Sequence, residues 1–165
     1  MPVPAADPRD IVTDMEGDHL GFTVGHAERE RVQVVALGRS HPEWTDFWDG
    51  NWLRTPITGS FGGFRFEEPD AQLRATEIRS FAQQLKALSE RPAAQAHLSS
   101  IEDWIELSVN GDGSGRLHVT GAVRDSSSNS LQFVIPDFDQ SFLAPLLGEL
   151  DLLVSAFPVL GSPSD

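Results

Sequence analysis

No cysteine occurs among the 165 residues, which excludes a disulfide framework, thiolate zinc motifs and a thiol nucleophile together. Long hydrophobic runs are missing as well. No stretch approaches the length of a membrane span, and residues 1–18 lack a basic start followed by an apolar run, so no signal peptide is expected and the expected location is the cytoplasm. Positive charge is scarce: 12 Lys and Arg stand against 25 Asp and Glu, giving a net charge of −13. A field of that sign repels phosphate backbones and anionic membranes, so neither a nucleic-acid nor a membrane partner is expected, while encounter with a basic protein is accelerated. Solubility alone also accounts for such a surplus.

Motifs that carry chemistry are equally sparse. The histidines at 19, 26, 41, 97 and 118 show no i, i+4 pair, so no metal site is expected. Residues 110–115 place oxygen-bearing side chains at the first, third and fifth positions of a calcium-loop pattern, but its twelfth position is Gly121 rather than a bidentate Glu, and a hairpin turn is the better reading. Gly59, Gly62 and Gly63 do not precede a helix in a strand-helix-strand unit, so they form no phosphate cradle. No Gly-x-Ser-x-Gly elbow occurs, and the acid pairs Glu67-Glu68 and Glu102-Asp103 fall at the ends of expected elements. A protein without catalysis and without a cofactor is expected.

What the chain does have is one ordinary domain's worth of apolar residues, 39% of the total. Residues 1–18, with three prolines and five acids, read as a flexible lead-in, residues 19–160 as a single domain and residues 161–165 as a frayed tail. Leu20, Phe22 and Val24 alternate with small or polar neighbours, as do Val32, Val34 and Ala36, which predicts a hairpin. A loop over residues 40–56 and a strand over 57–67, bent at Gly62-Gly63 with Phe64 and Phe66 inward, follow. Ile78, Phe81, Ala82, Leu85 and Leu88 form the stripe of an amphipathic helix, with Thr76 as its cap and Arg91-Pro92 as its end. Ile105, Leu107 and Val109, then Leu117, Val119 and Val123, then Leu131, Phe133 and Ile135 predict a three-stranded meander.

A second helix runs from Phe142 to Phe157, apolar on one face and stopped by Pro158. Asp139, or else Ser141, caps it, with Phe138 stapled onto Leu143 and Pro145 forcing a tight first turn. Strands, helix, strands, helix is thus a pseudo-repeat. It predicts an α+β fold: one antiparallel sheet of six or seven strands, both helices packed on one face and the other face free for a partner.

The densest aromatic segment is residues 44–53, Trp-Thr-Asp-Phe-Trp-Asp-Gly-Asn-Trp-Leu, which holds three of the four tryptophans. In one reading Phe47 or Trp48, and Trp52 with Leu53, fill the core while Asp46, Asp49 and Asn51 hold the turn. In the other, Glu43, Trp44, Asp46, Trp48 and Asp49 make an acidic patch with a hydrophobic anchor, suited to capturing a basic protein.

Residues 37–42, Leu-Gly-Arg-Ser-His-Pro, together with residues 47–57, Phe-Trp-Asp-Gly-Asn-Trp-Leu-Arg-Thr-Pro-Ile, with Gly63-Phe64 and with residues 150–158, carry a family likeness. Over roughly residues 19–160 the chain resembles the WapI family immunity proteins of bacterial contact-dependent and polymorphic toxin systems. The resemblance implies a protein that binds and neutralises a cognate secreted toxin, which for the namesake acts on transfer RNA. The alternative from the residues alone is a general interaction or scaffold module, as a monomer or a homodimer, using an open sheet face.

Overall fold

The computed structural model describes residues 19–164, so the expected lead-in 1–18 lies outside the described residues. Eleven strands and two helices follow in the order β1 (Leu20–Gly25), β2 (Arg31–Ala36), β3 (Gly38–Arg39), β4 (Trp52–Arg54), β5 (Ile57–Phe61), β6 (Phe64–Glu68), β7 (Gln72–Arg74), α1 (Ala75–Glu90), β8 (Gln95–Ser99), β9 (Ile105–Gly111), β10 (Arg116–Arg124), β11 (Ser130–Asp139) and α2 (Leu143–Ala156). The α+β class holds, but the strands do not form one sheet. They divide into two four-stranded antiparallel sheets, ordered β1-β2-β5-β6 and β8-β9-β10-β11, and a three-stranded sheet ordered β3-β4-β7.

The pseudo-repeat therefore appears as two meanders, each followed by a helix. Alternation produces them as expected: Phe22, Val24, Val32 and Val34 are buried in the first, Leu107, Val109, Val119 and Val123 in the second. The helices are exchanged between the halves. α1 packs on β8 of the second sheet and α2 on β1 of the first, while the helices also touch each other. Each helix supplies a polar side chain to the exposed edge of the strand it covers. The Gln84 amide accepts from His97 N at 2.9 Å and donates to His97 O at 3.1 Å, and the Glu149 carboxylate accepts from Thr23 N at 2.9 Å. Free strand edges are thereby blunted on the first strand of both sheets. Glu149, expected on a solvated face, is half-buried, and burial raises its pKa while the Thr23 N–H lowers it.

Both amphipathic stripes reach one continuous core. Ile78, Phe81, Leu85 and Leu88 of α1 and Leu143, Leu146, Leu150 and Leu153 of α2 join the inner faces of all three sheets. Each such side chain contributes about 1.5–3 kcal/mol by leaving water.

Local details depart from expectation for identifiable reasons. Residues 57–67 are a hairpin rather than one bent strand, because Gly62-Gly63 make a two-residue turn that pairs Phe61 with Phe64. Phe64 sits at the hairpin tip past the margin of the core and is 65% exposed, whereas Phe66 packs partly against the core. α1 starts two residues earlier than a Thr76 cap would allow: Arg74 is the N-cap residue, and the Glu77 carboxylate accepts from its N–H at 2.8 Å. At α2, Asp139 caps a single 3-10 turn, Gln140–Phe142, by accepting from Ser141 N at 2.8 Å. Pro145 then falls in the first turn of the α-helix proper, where no N–H is needed. Phe138 stacks on Phe142, ring centroids 4.9 Å apart.

Candidate functional site

Residues 40–56 were expected to be loop, yet Trp52–Arg54 is a strand in the middle of the three-stranded sheet and Leu53 is fully buried. A three-residue strand shows too little alternation to be seen in sequence. Its neighbours β3 and β7 grip the base of the segment that precedes it, and residues 41–50 project from that base as an ordered loop.

Asp46 organises the loop from within. Its Oδ1 accepts from Trp48 N at 2.9 Å and Asp49 N at 2.8 Å, and its carbonyl accepts from Gly50 N at 3.2 Å. These N–H groups, that of Asp49 first, hold its carboxyl below the ordinary aspartate range. Gly50 is required because a Cβ there would lie 2.6 Å from Asp46 O and 2.7 Å from Trp44 O. His41 closes the other side: its carbonyl accepts from Trp44 N, and its ring stacks on the Trp44 ring at 4.0 Å.

Three polar side chains tie this loop to the body. Asn51, fully buried, donates to Phe47 O at 2.8 Å and Leu160 O at 3.0 Å, and accepts from Leu160 N at 2.9 Å; its own carbonyl accepts from Ala75 N at the start of α1. Arg39 donates to Gly50 O at 2.9 Å and Pro158 O at 2.6 Å. Arg74, only 8% exposed, donates to Phe47 O at 2.7 Å and Trp48 O at 3.3 Å, with its guanidinium carbon 5.2, 5.5 and 5.7 Å from the ring centres of Phe47, Trp48 and Trp52. Two carbonyls and three aromatic faces compensate the buried cation. Sequence reading missed Arg74 and Arg39 because an arginine is by default a surface residue.

Of the aromatic segment's residues expected to fill the core, only Leu53 joins it. Leu53 is core, Phe47 and Trp52 are half-buried over Arg74, and Trp44 and Trp48 stand in solvent at 42% and 53% exposure. Glu43, Asp46 and Asp49 are exposed beside them. The five candidate residues Glu43, Trp44, Asp46, Trp48 and Asp49 thus share one rigid loop that presents two indole rings and three carboxylates, an arrangement able to hold a cationic, partly apolar surface. It offers no nucleophile with a base.

The nearest thing to a catalytic constellation lies elsewhere, on the outer face of the second sheet. His97 Nδ1 is 3.1 Å from Ser108 Oγ and its Nε2 is 3.8 Å from Glu106 Oε1. Strand register brings these together: His97 opposes Ser108, and Glu106 opposes Ser99. The imidazole is 45% and the carboxylate 63% exposed, so the group sits in open water on a flat sheet rather than in a water-excluding cleft with donors for a developing oxyanion. Among the described residues no three His, Asp or Glu side chains are placed to hold a metal ion, and no helix is long and apolar enough to cross a membrane.

Comparison with known proteins places this arrangement in context. The profile of the immunity protein WapI-like family matches residues 23–158, which includes both meanders, both helices and the whole aromatic loop. No curated protein and no solved structure matches the chain.

Proposed function

The chain belongs to the immunity protein WapI-like family, and from that premise we propose that it binds a cognate toxin domain through the loop bearing Glu43, Trp44, Asp46, Trp48 and Asp49 and neutralises it by occupation, without catalysis. The observation that carries the reading is the exposure of Trp44 and Trp48 on a loop fastened from beneath by Asn51, Arg39 and Arg74. Large apolar rings are stabilising when buried, and a fold that spends two buried polar side chains, Asn51 and Arg74, and the half-buried Arg39 on holding two of them in water is prepared for a contact. A loop already ordered in the free protein also loses little entropy on binding.

The charge supports a basic partner, of which a nuclease acting on transfer RNA is the type suggested by the family's namesake. At −13 the protein steers a cationic domain toward itself, and carboxylates seated in its phosphate-binding cleft exclude the nucleic acid. Action in the cytoplasm, before secretion or after entry of the toxin, follows from that role. Co-expression with the toxin domain encoded beside this gene is the test. Restored growth and a complex that weakens with salt are expected; continued killing with both proteins folded and no complex at moderate salt would remove the proposal.

A further inference from the structure

The chain after α2 was expected to fray from residue 161 onward, and it does more than terminate the helix. Phe157 N bonds back to Leu153 O, Pro158 O accepts from Arg39, and both main-chain groups of Leu160 are bonded to the Asn51 amide. Asn51 treats Leu160 as a neighbouring strand would, taking its N–H and giving to its carbonyl. One residue later Gly161, at φ +64, lies so close to the loop that a Cβ would stand 2.7 Å from Phe47 N. Val159 packs partly against the core. The two side chains that hold this segment, Asn51 and Arg39, are also those that hold Phe47 O and Gly50 O of the aromatic loop.

We propose that the segment over residues 159–161 is a strap that sets the conformation of the aromatic loop, with Asn51 as the positioning residue that couples the two. Without the strap, one Asn51 donor and its acceptor lose their partners and the side of Phe47 facing Gly161 opens to water, while Arg39 keeps both Gly50 O and Pro158 O. The loop then loses its fixed angle to the body, and its Asp46 turn, to which Trp48, Asp49 and Gly50 give their N–H groups, opens more often. The consequence for binding rests on the reading of this loop as the toxin contact; the conformational claim does not.

Two variants test it in the free protein by amide exchange: deletion of residues 159–165, and Leu160→Pro, which removes only the N–H that Asn51 accepts. Exchange at Trp48, Asp49 and Gly50 should speed by about tenfold or more in both, with β9 and β10 amides unchanged and deletion of residues 163–165 without effect. Loop exchange no faster than in the full chain would overturn the strap, as would uniform acceleration that includes β10, since that reports global destabilisation. Affinity for the neighbouring toxin domain, measured alongside, should fall about tenfold in both variants. Equal affinity with a loosened loop would overturn the positioning role. Absence of binding by the full chain would instead remove the toxin reading and leave the exchange result to decide the strap.

Discussion

In the first half of the molecule β2 reaches β5 through residues 37–56, whereas in the second half the equivalent strands β9 and β10 are joined by residues 112–115 alone. The passage into the helix differs too: β7 precedes α1, and a single 3-10 turn precedes α2. β3, β4 and β7, the third sheet, thus belong entirely to the first half. What two otherwise similar meanders differ by is one inserted platform, and the exposed tryptophans, the buried arginine and the buried asparagine all lie on it or beneath it. The second half shows a meander and helix formed without such a platform; the first shows the same scaffold carrying one.

The platform's anchors should therefore cost stability and its tip should not. Leu53→Ala removes a fully buried side chain from the central strand of the third sheet and is expected to cost about 3 kcal/mol in urea unfolding, as a core position in the second half such as Leu107→Ala would. Asn51→Ala strands both main-chain groups of Leu160 and leaves Phe47 O to Arg74 alone, for about 2–3 kcal/mol. If either anchor variant unfolds the chain no less steeply than wild type, the insertion is not integrated with the core and the comparison fails.

Trp48→Ala is expected to change stability by less than about 1 kcal/mol while costing at least about 2 kcal/mol of toxin affinity by calorimetry. Val134→Ala is its control on the second half, where an apolar residue is 63% exposed on the sheet face. Equal losses at both positions would say that the contact is not specific to the platform.

How far all this is legible in sequence depends on element length. Strands of five or more residues with alternating branched side chains, and helices with four or five stripe positions, are read correctly at β1, β2, β9 to β11, α1 and α2, because burial on one face imposes the period directly. β4 and β7, three residues each, carry no period, and β8 offers only Ala96 and Leu98 as inward residues. The division into separate sheets is invisible because it depends on which edges are closed by side chains such as Gln84 and Glu149, not on the strands themselves. The candidate site was legible as composition but not as geometry. The sequence shows three tryptophans and two acids in ten residues; that Phe47, Trp48 and Trp52 gather around one buried cation is decided by Arg74, a residue distant in sequence that pairs with Trp52 across the β4–β7 ladder.

Charge on the platform gives a smaller effect than its rings. Glu43→Lys with Asp49→Lys reverses two exposed carboxylates that make no structural hydrogen bond comparable to that of Asp46, so the fold should be unaffected. Association with a basic toxin should slow about tenfold at low salt with little change in dissociation, and the difference should shrink as salt is raised. Reversal of two exposed acids on the second half, Glu106 and Asp151, should slow association less; an equal effect would mean that total charge rather than placement does the steering.

The smallest effect is protonation, and it separates the halves once more. Asp112, Asp125 and Asp139 in the second half are held below the ordinary aspartate range by the Ser114 hydroxyl, the Asn129 amide and the Ser141 hydroxyl, as Asp46 is in the first half by the Asp49 N–H. A carboxyl whose pKa is lower folded than unfolded contributes stability above its unfolded value, near about 4, and loses it as pH falls through the lower folded value. All four turns should therefore loosen in acid, but only the Asp46 turn carries tryptophans. In an NMR titration the Trp48 and Asp49 amide shifts should move with a midpoint below that of an unstructured aspartate, and Asp46→Asn should abolish that transition while leaving those at Ser114, Asn129 and Ser141 in place. Toxin binding in the acid range should follow the Asp46 transition and ignore the other three, because in the proposed function the rings it positions are the contact and the other turns only close hairpins and start a helix.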